Sequence, residues 1–255
     1  MDLYNYPDIY DERFTEGANQ AYREHYRKMF DGCDITDILD CSFGTGCLSF
    51  CLCELGYALY GSDLSESMLG KAREKAKQKG VSVPLVCCDF RELTKHFDKQ
   101  FSCVMSSGNA LAHVNNEDVV KTLREMDALV KPGGYLYFDS RNWDKETKNR
   151  KRFQFYRPFI KEDGTRINYV QMWDHHSDGS ITINLLHAYE RDGEIIRQDV
   201  FEEHLMPFSV RVAVSALEEM GYEEIVIRPH PWFADADFED VAWYCLLAKK
   251  PVDRF

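Results

Sequence analysis

Asp40-Cys41-Ser42-Phe43-Gly44-Thr45-Gly46 follows an apolar run at residues 35–39 and leads into a helix-like run from about Gly46. That order predicts a first strand, a tight glycine turn and a helix start, as in nucleotide-binding α/β domains. Gly44 and Gly46 can take backbone angles that other residues resist, and they let a ligand approach the main chain. Asp40 falls at the strand's end, where a carboxylate accepts hydrogen bonds from turn amides or from an ammonium group. A spare glycine turn between any strand and helix would look the same, so the neighbouring segments must decide.

Downstream, residues 57–63 are apolar and end in Asp63, which predicts a second strand closing in an acid some twenty residues beyond the turn. A carboxylate there is placed to accept two bonds from ribose hydroxyls; its plainer reading is a strand-end turn acid. Ser65 is an N-cap candidate, with Met68 and Leu69 opening the apolar side of a second helix that runs toward Gly80. Met68 stands where a capping box would need an acid or amide, so no box is expected. Residues 82–88 predict a third strand, followed by Asp89 and Phe90, an acid and an aromatic suited to an adenine ring. A fourth strand over 101–105 leads into a polar loop from Ser106 to His113 that includes Ser107, Gly108 and Asn109. Asn115 and Asn116 can cap a helix over 117–130. Lys131-Pro132-Gly133-Gly134 reads as a turn before a fifth strand, 135–138. Asp139, Ser140, Arg141, Asn142, Trp143 and Asp144 follow, and so many polar residues after a central strand point to a second ligand side.

Upstream, residues 1–34 carry five tyrosines, including Tyr10 and Tyr22, and 19–30 have helical periodicity. This segment is expected to be a helical lid whose tyrosines pack over the sheet edge and line a pocket. From about residue 150 the pattern alternates, broken by Asp163-Gly164, Asp178-Gly179 and Asp192-Gly193. Those are hairpin turn signals. The expected organisation is a lid at 1–34, a Rossmann-like core at 35–150, an inserted antiparallel β cap at 151–206, and the rest of the core at 207–255. In the last part a helix over 208–220 precedes strand six at 222–228, a loop over 230–240 and strand seven at 241–248. The fold class is therefore α/β: a seven-stranded, mostly parallel sheet with an antiparallel last strand, plus a small antiparallel β cap after strand five.

The 255 residues suffice for one sizeable core. A net charge of -12 disfavours a nucleic-acid partner, because backbone phosphates repel such a surface. The one basic run, 148–152, reads as a solvated connector. No stretch is long and apolar enough for a membrane span, and the acidic first ten residues do not resemble a signal peptide. Nine scattered cysteines without a Cys-x-x-Cys suggest free thiols in a cytoplasmic, reducing setting. His175-His176 lacks ligands at metal spacing, so no metal is expected.

Taken together, Ile38-Leu39-Asp40, Ser42, Gly44-Thr45-Gly46, Asp63, Asp89 and Lys131-Pro132-Gly133-Gly134 resemble the class I S-adenosylmethionine-dependent methyltransferases over roughly residues 35–140. The resemblance implies S-adenosyl-L-methionine as cofactor, with the glycine turn near its amino-acid part, Asp63 on the ribose, and Asp89 with Phe90 around adenine. The cofactor-binding set it implies is Asp40, Ser42, Gly44, Gly46, Asp63, Leu64, Met68, Asp89, Phe90, Ser107 and His113. A dinucleotide fingerprint would need a third glycine that this turn lacks. Gly108-Asn109-x-x-Ala112-His113 and Asp139-x-Arg141-Asn142-Trp143-Asp144 are similar to the glycine and sarcosine N-methyltransferases. That narrower likeness gives Asn109 and Arg141 a grip on the carboxylate of a small amino acid. The 9–26 region equally resembles the amino-sugar N-methyltransferases. Asp89-Phe90 stands where the glycine enzymes have an asparagine-tryptophan pair, a departure that bears on the acceptor.

The expected activity is methyl transfer to a small-molecule acceptor, foremost an amine of an amino acid or amino sugar, by a monomer or small homo-oligomer. Asn109, Arg141, His113 and Tyr10 are the catalytic candidates. Arg141 either clamps a carboxylate or pairs with Asp139 or Asp144. His113 is either a general base or bonded to backbone. Tyr10, Tyr22, Trp143 and Trp173 form either an aromatic wall or cap packing. Methylation of oxygen on a small acid or phenol, and a non-catalytic S-adenosylmethionine-binding domain, stand as alternatives.

Overall fold

The structure, a computed structural model, describes residues 1–230 and 240–252. A 3-10 turn, Leu3–Asn5, and helices α1 (Pro7–Asp11) and α2 (Glu16–Met29) precede the sheet. Thr15 caps α2 by accepting from Ala18 N–H, and Tyr22, Tyr26 and Met29 give it one buried face. Then come β1 (Asp37–Asp40), α3 (Cys51–Glu54), β2 (Ala58–Asp63), α4 (Glu66–Lys79), β3 (Leu85–Cys87), β4 (Phe101–Ser106), α5 (Asn116–Leu129) and β5 (Val130–Arg141). After α6 (Trp143–Asn149), five strands build the cap: β6 (Phe153–Phe155), β7 (Phe159–Ile160), β8 (Arg166–His175), β9 (Ile181–Arg191) and β10 (Glu194–Leu205). Helix α7 (Val210–Glu219), β11 (Glu224–Pro229) and β12 (Trp243–Lys249) return to the core.

One sheet has the order β11-β12-β5-β4-β1-β2-β3, with β12 antiparallel to both neighbours and the other pairs parallel. Alternate residues feed opposite faces. Leu39, Val104, Leu136 and Phe138 enter a core shared with α5 and α7. Ile38, Cys103, Met105 and Tyr137 enter a second core under α2, α3 and α4. The expected sheet and inserted cap are both present. The cap's sheet runs β10-β9-β8-β6, with β7 also on β8. Asp192 and Gly193 join β9 to β10 with φ of 52° and 82°, the left-handed pair that a two-residue hairpin demands.

Three boundaries differ from expectation. The helix expected from Gly46 covers only Cys51–Glu54, because the preceding turn winds tightly: Ser49 N–H donates to Gly46 O while the Ser49 hydroxyl is drawn to Asp40. Strand three shortens to Leu85–Cys87, behind Pro84, which has no N–H to give a ladder. Residues 131–134 do not separate helix from strand. They belong to β5, where Gly133, at φ 76°, accompanies a break in register against β4. The exposed run 148–152 closes α6. The loop expected at 230–240 lies almost wholly outside the described residues. All nine cysteines are free thiols. Among the described residues there is no metal-binding cluster, and no helix is long and apolar enough to cross a membrane.

Candidate active site

Parallel strands bring Asp40, Asp63 and Asp89 to one edge of the sheet: Asp40 pairs in register with Gly61, and Asp63 with Cys87. Their carboxylates are used differently. Asp40 is fully buried. Its Oδ1 accepts from Ser42 N–H (3.1 Å), and its Oδ2 accepts from the hydroxyls of Ser49 (2.5 Å) and Ser107 (2.8 Å). Ser107 N–H in turn donates to Ser42 Oγ at 2.7 Å. Asp40, Ser42 and Ser107 therefore lash the glycine turn to the loop after β4, and burial lifts the Asp40 pKa above the ordinary carboxylate value. Asp63 is half-buried. Its Oδ2 accepts Gly44 N–H at 2.8 Å and its Oδ1 accepts Ser65 N–H at 2.9 Å. Burial raises its pKa against those two N–H groups. Asp89 is gripped by Arg91, whose Nη2 lies 2.6 Å from Oδ2 and whose Nη1 also reaches Asp118. That fork, more than anything else, holds the Asp89 carboxyl below its ordinary pKa.

Gly44 and Gly46 both have left-handed φ, 55° and 75°. A Cβ on Gly46 would sit 2.3 Å from the Phe50 ring and 2.6 Å from the Phe43 ring. A Cβ on Gly44 would meet only the Met68 methyl, at 3.5 Å. Gly46 is thus required by packing, and Gly44 leaves room beside the main chain. Met68 is buried, Phe90 partly so, and Leu64 is 70% exposed.

The N-terminal segment is fastened across this edge. Ser65 Oγ donates to Tyr4 O, Lys71 pairs with Asp8 (2.5 Å), and Asp11 takes both Lys75 (2.6 Å) and the Thr45 hydroxyl (2.6 Å). Glu12 reaches the other way, to Lys161 and Tyr189 of the cap.

Between the N-terminal helices, the sheet and the cap lies a cavity of about 730 Å³. Of the catalytic candidates it collects Tyr10, Asn109, His113 and Arg141. Arg141 lies between two indoles, 5.0 Å from the Trp173 ring and 4.8 Å from the Trp243 ring. It pairs with neither Asp139 nor Asp144. Asp139 is buried and accepts Gly108 N–H and Asn109 N–H, with burial pushing its pKa up to about 7. Asp144 accepts from Ser209 Oγ and Val210 N–H. Among the described residues the only polar contact of the Arg141 head is Gln171 Oε1, at 3.4 Å.

Asn109, at φ 65°, spends its side-chain oxygen on Ser140 Oγ, Arg141 N–H and Trp143 Nε1–H. It positions Arg141. His113 Nε2 is bonded to the Tyr4 hydroxyl at 3.0 Å, neither to backbone nor open, and burial pushes its pKa down. The expected aromatic wall is redrawn. Tyr10 and Tyr22 line the cavity, whereas Trp143 and Trp173 are both 1% exposed and pack 5.9 Å apart behind it. His175 and His176 lie on the cap, away from the lining residues.

Sequence reasoning gave no site role to Arg13, Tyr169, Gln171, Glu203 and Trp243, all of which line the cavity. Arg13 stacks on Tyr10 (4.7 Å) and donates to the Tyr169 hydroxyl (3.2 Å). The available signal was alternation. Phe201 and Leu205 are buried, so Glu203 between them faces inward too, as Gln171 does between Tyr169 and Trp173.

A family profile for a methyltransferase domain matches residues 38–134. The glycine/sarcosine N-methyltransferase of Aphanothece halophytica is 33% identical over 150 residues, which are 55% of this chain and 57% of that one. The chain spans about half the length of the curated relatives it matches. Among solved structures, an S-adenosylmethionine-dependent methyltransferase from Clostridium acetobutylicum superposes with a TM-score of 0.77 at 17% identity, covering 96% of this chain and 97% of that one. The CcbJ methyltransferase of Streptomyces caelestis gives 0.77 at 20% identity, covering 98% of each chain.

Proposed function

From a chain whose fold is that of the class I S-adenosylmethionine-dependent methyltransferases, we propose transfer of a methyl group to a small-molecule amine that bears a carboxylate. The single observation carrying this reading is Arg141: a guanidinium set between two indoles, in the cavity between the N-terminal helices, the sheet and the cap, without a carboxylate partner among the described residues. A half-buried cation left in that state is set to receive an anion, and its fork matches a carboxylate in both shape and charge.

The residues around the turn fit S-adenosylmethionine. At Gly44 a side chain would meet nothing closer than the flexible Met68 methyl, at 3.5 Å, so no rigid group crowds the main chain there. Each Asp63 oxygen holds one backbone N–H and keeps a further acceptor position for a ribose hydroxyl. The cofactor supplies an activated methyl group on a sulfonium, so the protein's share is alignment and dryness. Arg141 binds the acceptor's acid end, Asn109 fixes the strand end that carries Arg141, and the lid tyrosines exclude water. The similarity to a glycine/sarcosine N-methyltransferase supports an amine acceptor. The nine free thiols suit a reducing compartment such as the cytoplasm.

Calorimetric titration of S-adenosylmethionine tests the cofactor half. Asp63→Ala is expected to weaken binding by about tenfold or more, as loss of a charged hydrogen-bond acceptor does. Unchanged affinity would remove the ribose role. A methyl-transfer screen of amino acids, small amines and amino sugars tests the acceptor half, and transfer only to uncharged acceptors would refute it.

A further inference from the structure

Glu203 is the single carboxylate lining the cavity among the described residues. It lies in β10, opposite Ile183 of β9, on the inward face between buried Phe201 and Leu205. Glu203 is half-buried there. Yet none of the hydrogen bonds or ion pairs formed among the described residues engages its carboxylate. Its charge is felt by Tyr4 of the 3-10 turn, Tyr10 of α1, Arg13 beyond α1, His113 after β4 and Tyr169 of β8, and Tyr156 and Arg157 between β6 and β7 line the same cavity. Burial holds the Tyr4, Tyr10 and Tyr169 hydroxyls protonated. His113 has its Nε2 committed to the Tyr4 hydroxyl. Arg13 cannot take up a proton. In this neighbourhood Glu203 is the group left to receive one.

We propose that Glu203 accepts the proton of the acceptor's ammonium group and so exposes the nitrogen lone pair. The inference rests on the amine-methylation reading above. In this step an N–H bond of the bound ammonium breaks and an O–H bond forms on Glu203, giving a neutral amine and a neutral acid. The nitrogen lone pair then forms the bond to the methyl carbon as the methyl–sulfur bond breaks, its electron pair staying on sulfur. The product is a methylated ammonium, and Glu203 returns its proton to water when the cavity opens. With Arg141 at the acid end, the cavity recognises a zwitterion: carboxylate at Arg141, ammonium at Glu203. A phenol or carboxylic acid offers no cation to this site.

The test measures kcat and KM from pH 6 to 10 for the wild-type protein, Glu203→Gln and Glu203→Asp, with S-adenosylmethionine and an amino acid that the screen finds active. Glu203→Gln is expected to lose about a hundredfold in kcat/KM near neutral pH. It should recover as the pH nears the free amine's own pKa, where the neutral form binds directly. Cofactor affinity by calorimetry should be unchanged. Glu203→Asp should keep the wild-type profile at a lower rate, and it decides the matter if Glu203→Gln fails to fold by circular dichroism. A Glu203→Gln loss that is equal at every pH, or that sits in cofactor affinity, overturns the proposal, as does activity within about threefold of wild type. In each of those cases wild-type transfer to amines still stands. A wild-type protein that binds no S-adenosylmethionine, or methylates only oxygen, overturns the amine reading and this inference with it.

Discussion

Replacing Asp40 separates a brace from a ligand contact. In Asp40→Asn the side-chain oxygen can keep Ser42 N–H, while the new NH₂ donates to the hydroxyls of Ser49 and Ser107, which rotate to accept. The substitution also removes a buried charge. The Asp40 pKa is raised by burial, so the native state holds its proton more tightly than the unfolded chain does. The stability contribution is therefore full below the ordinary carboxylate pKa and lost as pH rises through the folded value. Asp40→Asn is expected to stay within about 1 kcal/mol of wild type, given near-complete exchange of hydrogen bonds. Its standing relative to wild type should improve from acid to neutral pH. Asp40→Ala strands three donors and should lose about 3–5 kcal/mol, at about 1–3 kcal/mol for each unsatisfied group with partial relaxation. For a chain of this size that is a fall in Tm on the order of 10 °C. Urea and thermal unfolding at two pH values, with cofactor titration alongside, read out both effects. Asn as damaging as Ala would refute the exchange of partners. Normal stability with lost cofactor affinity in Asp40→Asn would refute the brace.

Arg141→Leu should raise the KM for a carboxylate-bearing acceptor by about tenfold to a hundredfold, as loss of a charge-assisted pair does, with cofactor affinity unchanged by calorimetry. Gly46→Ala must hold a left-handed φ and push back two phenyl rings, so a loss of about 2–4 kcal/mol in urea unfolding is expected. Asp139, pushed up to about 7 by burial, stabilises most at low pH and less as pH rises from about 4 through 7. Asp139→Asn should flatten that slope in thermal unfolding measured across the same range.

The strand ends carrying Asp40, Asp63 and Asp89 are legible from sequence because each closes an apolar run with an acid, and parallel pairing puts those ends side by side. The hairpins of the cap are legible from their Asp-Gly pairs. What each carboxylate binds is not legible. Ser107 reaches Asp40 across 67 positions, and Asp139 reaches Gly108 across 31. Local spacing suggests that Arg141 pairs with Asp139 or Asp144, and only the fold shows both acids occupied elsewhere. A site role for Glu203 is not legible because its neighbours Glu202 and His204 are polar and exposed, and only the alternation of the folded strand turns it inward.

The cavity draws its walls from Tyr4 to Tyr22, from Gly108 to His113, from Arg141, from the cap and from Trp243, segments that span nearly the full described chain. Closing such distant segments carries an entropy penalty that only the completed fold offsets. The parallel sheet and its glycine turn by themselves supply few of these walls. If the proposed function holds, turnover depends on structural completion, and a nick in the cap should abolish it while S-adenosylmethionine still binds at the strand ends.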